Sequence, residues 1–288
     1  RAFTIVDSRN VAAICYDRED AAVVKTAAEL LASDIEKVTG IQPAVFDSHD
    51  AVSGTGYAII AGTIGSSSWI DSLIEKGKID VSGITGGWER YAVRLVDNPC
   101  KGIRKAIVIA GSDRRGTAFG LMSISREIGV SPWWWWLDAP VEHRDAIVVN
   151  VADFDSRTPS VKYRGIFIND EDWGILRWAK NNFEKERGNI GPKTYDKVCE
   201  LILRLQANML APAMHEASTA FYRIPENKEI ADRYAVIITT SHCEPLLFNT
   251  ASEWHSDRYG EWNYNTNRER VDSVLKARVM EAAPYENV

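Results

Sequence analysis

Apolar positions recur along the chain with two different periods, and the change from one to the other marks out its elements. Ile5 and the run Val11 to Cys15 are short and apolar, as strands are. Between Asp20 and Val38 the residues Val24, Ala27, Ala28, Leu31, Ile35 and Val38 recur at spacings of three and four, which predicts a helix with one apolar face, ending before Gly40. Tyr57 to Ala61 is another short strand. From Trp88 to Val96 the period is two: Tyr91, Val93 and Leu95 fall on one face, and Arg90, Ala92 and Arg94 on the other, so this strand should have one wet side. Lys105 to Ala110 is a further apolar strand, closed by Gly111-Ser112-Asp113, and Thr117 to Ile128 reads as a helix stopping at Gly129. Ala146 to Val149 is a last strand, and residues 153–160, with Arg157, Thr158 and Pro159, have linker composition.

Beyond Val161 the pattern changes. Lys162 to Ile168 alternates as a strand and runs straight into Asn169-Asp170-Glu171-Asp172. Gly191-Pro192 precedes a helix over Thr194 to Leu205, striped by Tyr195, Val198, Cys199, Ile202 and Leu205. Asn208 to Met214 is strand-like and ends in His215-Glu216, and a short helix, Glu226 to Arg233, follows Pro225. Tyr234 to Thr239 is a third strand, ending in Thr240-Ser241-His242-Cys243-Glu244-Pro245. Three strands in succession thus stop at acids, imidazole or amide, the pattern of a parallel sheet whose carboxyl edge holds a site. The last helix, Asn267 to Ala283, carries Val271, Val274, Leu275 and Val279 on one stripe.

The chain has 288 residues, 45% of them hydrophobic, enough for roughly two domains. Its formal charge is −6 with the two signs interspersed, so no basic footprint for nucleic acid or an anionic membrane is expected. No apolar run reaches the length of a membrane span, and the first residues lack the order of a signal peptide. Cys15, Cys100, Cys199 and Cys243 form no CxxC pair, and most are expected to be buried small hydrophobes. The turn at Gly111 could cradle an anion, but it lacks a phosphate-loop lysine, and close packing of strand and helix explains its glycines equally.

The ten tryptophans are uneven: Trp133, Trp134, Trp135 and Trp136 are consecutive, and four more lie beyond Ile168. Consecutive side chains on a strand alternate in direction, so four indoles there cannot share one core, and some should reach a domain seam or the wall of a sugar-binding cleft. At the strand ends three chemistries compete. Metal-assisted hydrolysis could draw on His215, His242 and Glu244, though no zinc spacing singles them out. A thiol at Cys243 would need a base, and its neighbour His242 would point away from it on an extended strand. Glycoside hydrolysis needs two carboxyl groups, for which Asp170, Glu171 and Glu244 are candidates, with Asn169 and His242 as hydrogen-bonding partners and tryptophan faces for sugar rings. Arg164 and Asn169 are the candidates for holding a substrate carboxylate.

The stretch Lys162 to Gly174, then Pro212-Ala213-Met214-His215-Glu216, Pro225-Glu226-Asn227-Lys228 and Thr240-Ser241-His242-Cys243-Glu244-Pro245, resembles glycoside hydrolase family 115, the xylan α-1,2-glucuronidases. Gly111 to Leu121 and Ser131 to Asp138 are similar to the end of that family's amino-terminal domain. The resemblance implies an α/β fold: an α/β sandwich domain over residues 1–150, a linker over 151–160, and over 161–288 the first half of a (β/α)8 (TIM) barrel that is incomplete in this chain. It implies a secreted or periplasmic enzyme, often a homodimer, that needs no cofactor or metal. That enzyme removes glucuronic acid or its 4-O-methyl ether from glucuronoxylan with inversion. Asp170, Glu171, Glu244 and His242 would be catalytic, while Asn169, Trp135, Trp173, His215 and Glu216 would bind substrate. The acid that protonates the leaving group would lie on a later strand, so turnover is not expected of this stretch by itself. The alternatives are a non-catalytic fragment or sugar-binding assembly module, and a metal-dependent hydrolase.

Overall fold

The computed structural model describes every residue of the chain except 53–55, 170, 241–243 and 287–288. It divides into two compact units, Arg1–Lys162 and Tyr163–Val288.

In the first unit, β1 (Ala2–Val6), β2 (Ala13–Cys15), α1 (Ala22–Thr39), β3 (Val45–Phe46), β4 (Tyr57–Thr63), α2 (Ser68–Glu75), β5 (Tyr91–Cys100), β6 (Ile103–Gly111), α3 (Arg114–Glu127), β7 (Ile147–Asn150) and β8 (Phe154–Asp155) follow in order. Six strands form one sheet in the order β3-β2-β4-β6-β5-β8. The first four run parallel, whereas β5 and β8 are antiparallel to their neighbours. The period of two along β4 and β6 divides the core. Ala58, Ile60, Ala106 and Val108 join Trp69, Ile70 and Leu73 of α2 in one cluster, whereas Ile59, Ile107 and Ile109, equally buried, point to the opposite side. There Ile109 meets α3 so closely that a Cβ at Gly120 would lie 2.3 Å from its Cγ2. Each fully buried aliphatic side chain contributes about 1.5–3 kcal/mol, so both faces need a helical cover.

The helix over Ala22–Thr39 forms where the spacing places it, and Gly40 ends it in the left-handed region at φ 77°. The Gly111 turn is a packing device. A Cβ at Gly111 would collide with Thr117, and one at Gly116 with the Arg90 backbone. The N-terminus of α3 is occupied by its own cap, because Asp113 accepts the Gly116 N–H at 2.8 Å and the Glu89 N–H at 2.7 Å.

Three expectations need correction. On β5 it is Ala92 and Val96 that enter the core, while Val93 and Leu95 are only half-buried. Arg94 shares the buried side because its guanidinium reaches the Phe154 and Asp80 carbonyls and the Asp155 carboxylate at 2.7–2.9 Å. Within the stretch of linker composition, Phe154 and Asp155 pair with Val93 and Ala92 as an edge strand. The tryptophan run lies in turns, so no strand alternation acts on it. Trp133 is exposed, Trp134 lies 4.2 Å below the Lys37 ammonium, and Trp135 and Trp136 pack edge to face with centroids 5.0 Å apart.

In the second unit, β9 (Gly165–Phe167), α4 (Leu176–Trp178) between the π-helical turns Glu171–Ile175 and Ala179–Phe183, α5 (Pro192–Arg204), β10 (Met209–Ala211), α6 (Pro225–Arg233), β11 (Ile237–Ile238), α7 (Thr250–Glu253), α8 (Ser256–Tyr259) and α9 (Arg268–Ala282) follow in order. The strands form a parallel sheet, β9-β10-β11, with Met209 level with both Gly165 and Ile237. No closed barrel exists among the described residues. At the far end the expected apolar stripe of α9 is broken: Val271 is buried, but Val279 is 53% exposed and Arg278 is buried instead. Arg278 is tolerated inside because its guanidinium donates to the Leu246 and Leu247 carbonyls, pairs with Glu253 at 2.9 Å and lies 4.2 Å from the Tyr222 ring centroid.

Cys15 and Cys199 are buried and burial raises both thiols, Cys15 to about 12; Cys100 is half-buried, and Cys243 lies outside the described residues.

Candidate active site

Close strand approach sets the register of the rim. A Cβ at Gly165 would stand 2.1 Å from the Met209 carbonyl oxygen, so only glycine lets β9 and β10 pair this closely. The pairing continues past both strands, since the Ile168 N–H donates to the Ala211 carbonyl and the Thr239 N–H to the Leu210 carbonyl, each at 3.0 Å. Three consecutive parallel strands therefore deliver their carboxyl ends to one edge. Arg164 lies at the other end of β9, where its Nη2 donates to the Gln206 carbonyl at 2.6 Å. It is thereby removed from the rim, and the expectation that it could hold a substrate carboxylate there fails.

Behind the sheet, α5 begins at Pro192 and presents Tyr195 to the interior. Its first turn is capped from outside: the buried Glu184 Oε1 accepts the Gly191 N–H at 3.0 Å and the Thr194 N–H at 2.6 Å. Tyr195 is fully buried and packs edge to face on Phe221 at 5.1 Å. Burial pushes its hydroxyl far above the ordinary phenol range, with the Glu171 charge acting the same way.

At the rim, Glu171 is 3% exposed. Its Oε1 accepts the Met214 N–H at 3.0 Å and the His215 N–H at 2.7 Å, so the loop after β9 is tied to the loop after β10. His215 Nδ1 stands 2.8 Å from Asp172 Oδ2, which orients the imidazole. The other oxygen, Asp172 Oδ1, is buried with no hydrogen-bond partner among the described residues. The segment after β11 joins through Asn249, 2% exposed, whose Nδ2 donates to the Met214 carbonyl at 2.6 Å while its Oδ1 caps α7. All three loops therefore meet at Met214 and His215.

The profile of glycosyl hydrolase family 115 matches residues 156–288. The chain is also similar to a solved family GH115 4-O-methyl-α-glucuronidase, BtGH115A, with specificity for decorated arabinogalactans. The two are 36% identical, with a TM-score of 0.83 over 98% of this chain and 35% of that one. The chain belongs to glycosyl hydrolase family 115. It spans about a third of the length of that relative. Weaker likenesses are to an N-acetyl-β-hexosaminidase of Streptomyces plicatus, at 11% identity and a TM-score of 0.49 over 86% of this chain and 44% of the other, and to CpGH84D, at 10% and 0.48 over 95% and 39%. No curated protein matches the chain.

In this family 115 chain the structure brings together Glu171, Asp172, His215 and Asn249, of which sequence reasoning singled out the first and third. Asp172 was visible only as the last acid of the cluster after β9. Asn249, with a glutamate four residues on, offered an N-cap signal but none for its reach to Met214. Glu244 is half-buried on the loop after β11, where its backbone carbonyl accepts the Thr240 hydroxyl at 2.5 Å. Asn169 and Glu216 are exposed, and Trp173 is 76% exposed with the Arg177 guanidinium 5.5 Å from its ring centroid. Trp135 belongs to the first unit. Asp170 and His242 lie outside the described residues. No group of three His, Cys, Asp or Glu side chains is arranged to hold a metal ion among the described residues, nor is any helix there long and apolar enough to cross a membrane.

Proposed function

We propose that this family 115 chain is the amino-terminal part of an inverting hydrolase that removes α-1,2-linked glucuronic acid, or its 4-O-methyl ether, from xylan. Residues 161–288 then form the first half of a (β/α)8 barrel. The observation that carries this reading is the rim itself, where buried Glu171 locks two loops together beside an Asp172–His215 pair whose imidazole is exposed at the strand ends.

Inversion requires an acid and a base about 6.5–9.5 Å apart with water between them. Asp170, Glu171 and Glu244 supply the water-side carboxylate and His242 its hydrogen-bonding partner. With Oε1 held by two amides, Glu171 has only Oε2 left for that chemistry. Asn169, His215 and Glu216 bind the uronate ring, and the faces of Trp173 and Trp135 stack on sugar. The protonating acid comes from a later strand. A polymeric substrate calls for an enzyme outside the cytoplasm, secreted or periplasmic, and the family resemblance for a homodimer.

A second polymer is favoured by one observation, the arabinogalactan specificity of the 36% identical relative. Incubating the full-length enzyme with glucuronoxylan and with glucuronic-acid-bearing arabinogalactan, and following uronic acid release by NMR, separates the two. Release of the β-anomer from the α-linked branch first is expected. Release of the α-anomer first contradicts inversion, and no release from either polymer contradicts the activity.

A further inference from the structure

A groove of positive sign in the first unit plays no part in the chemistry above. Two adjoining hollows, of about 1000 and 400 Å³, share Asn10 and Gly56. Arg9, Lys76, Lys78, Lys101 and Arg104 line them, and among the described residues no carboxylate does, in a chain whose formal charge is −6. Charge of one sign gathered on one shallow, open surface, against the sign of the whole molecule, raises the local concentration of anions.

The fold holds these cations in place. The end of β5 breaks register between Asp97 and Cys100, Asn98 takes the left-handed conformation at φ 50°, and Gly102 at φ 90° reverses the chain into β6. Lys101 therefore stands at the tip of a tight turn. The Lys78 ammonium donates to the Asn98 and Pro99 carbonyls at 2.6 and 3.1 Å, so its charge is pinned beside that turn. The Arg104 guanidinium lies 5.1 Å from the Tyr57 ring centroid. Tyr57 and Phe46 line the second hollow, so ring surface adjoins the cations. Apolar rings next to fixed cations are what a sugar bearing a carboxylate needs.

We propose that this groove binds an acidic polysaccharide strand, with uronate carboxylates met by Lys78, Lys101 and Arg104. The choice of a uronate-bearing glycan rests on the activity proposed above. A nucleic acid presents a charge about every 1.7 Å of duplex and calls for a long basic stripe, whereas sparse branch carboxylates match a groove with five cations.

The test is native affinity electrophoresis of the 288-residue chain in gels containing glucuronoxylan or a neutral arabinoxylan. Wild type is compared with a Lys78→Gln, Lys101→Gln, Arg104→Gln triple variant and with Lys101→Gln alone, a turn-tip change that spares the packing. Glucuronoxylan should retard wild type, the triple variant should bind about tenfold more weakly, and Lys101→Gln should fall between. Equal retardation of wild type and of a triple variant with unchanged thermal midpoint or, where that variant does not fold, of wild type and Lys101→Gln, equal retardation by the neutral polymer, or tighter binding of duplex DNA than of glucuronoxylan, each overturns the proposal. Uronic acid release by the full-length enzyme is scored separately. Release without groove-dependent retardation refutes only the groove, and groove-dependent retardation without release refutes only the activity.

Discussion

Glu171 and His215, 44 residues apart, are joined by a 2.7 Å hydrogen bond from the histidine's backbone N–H to the glutamate's Oε1. The bond spans two loops that leave adjacent parallel strands, and the same oxygen takes the Met214 N–H. The side chain so engaged is almost wholly buried, while the two amides it receives are part-buried. Glu171 thus builds the rim whatever else it does there.

Glu171→Ala should therefore lower stability by about 1–3 kcal/mol, the cost of two part-buried amides losing a charged acceptor. Glu171→Gln, which keeps an oxygen in place, should cost less than half of that. Urea unfolding of both variants checks the order, and equal costs would show that the two amides find other partners.

Gly165→Ala tests the register. The new methyl would meet the Met209 carbonyl oxygen at 2.1 Å, and the neighbour is backbone. A loss of more than about 2 kcal/mol is expected, in line with overpacking and a lost ladder. Hydrogen exchange should locate it at the amides of Ile168 and Thr239, which donate across the sheet. Protection unchanged at both would mean that β9 and β10 are held by something other than close approach.

Much of this was readable from period and punctuation. Gly40 and the three-four spacing before it give α1, and the polar clusters after three apolar runs give the parallel order of β9, β10 and β11. What stayed hidden depends on tertiary partners. Arg278 is buried because carbonyls of a distant loop receive it, and Arg94 faces the core side of β5 because Phe154, Asp80 and Asp155 do. Neither partner set leaves a local mark in the sequence. Asn249 was similarly invisible, because its cap is local but its bond to Met214 is not.

In the first unit Asp20 is a pH probe. Its carboxylate accepts the Thr63 and Ala21 N–H groups at 2.8 Å, yet burial pushes its pKa above the ordinary carboxylate value. The folded state then holds the proton more tightly than the unfolded one. Its contribution to stability is full below the unfolded pKa, about 3.9, and is lost as pH rises through the raised folded value. Asp20→Asn should flatten that fall above about pH 4 in thermal midpoints. An unchanged slope would assign the pH dependence to other carboxyl groups.

Trp135 separates sugar contact from packing. It is half-buried and edge to face with Trp136. Trp135→Ala in the full-length enzyme should weaken xylo-oligosaccharide binding about tenfold, as for one lost stacking surface, with less than about 2 kcal/mol of stability lost. Unchanged calorimetric affinity with a larger stability loss would make it a packing residue.

The most direct measurement is turnover of glucuronoxylan by full-length Glu244→Gln, read beside its thermal midpoint. Uronic acid release should fall by at least about a hundredfold while the midpoint stays within a few degrees, as expected for loss of a carboxylate acting on water. Release within about threefold of wild type would remove Glu244 from the chemistry and contradict its part in the water-side carboxylate cluster.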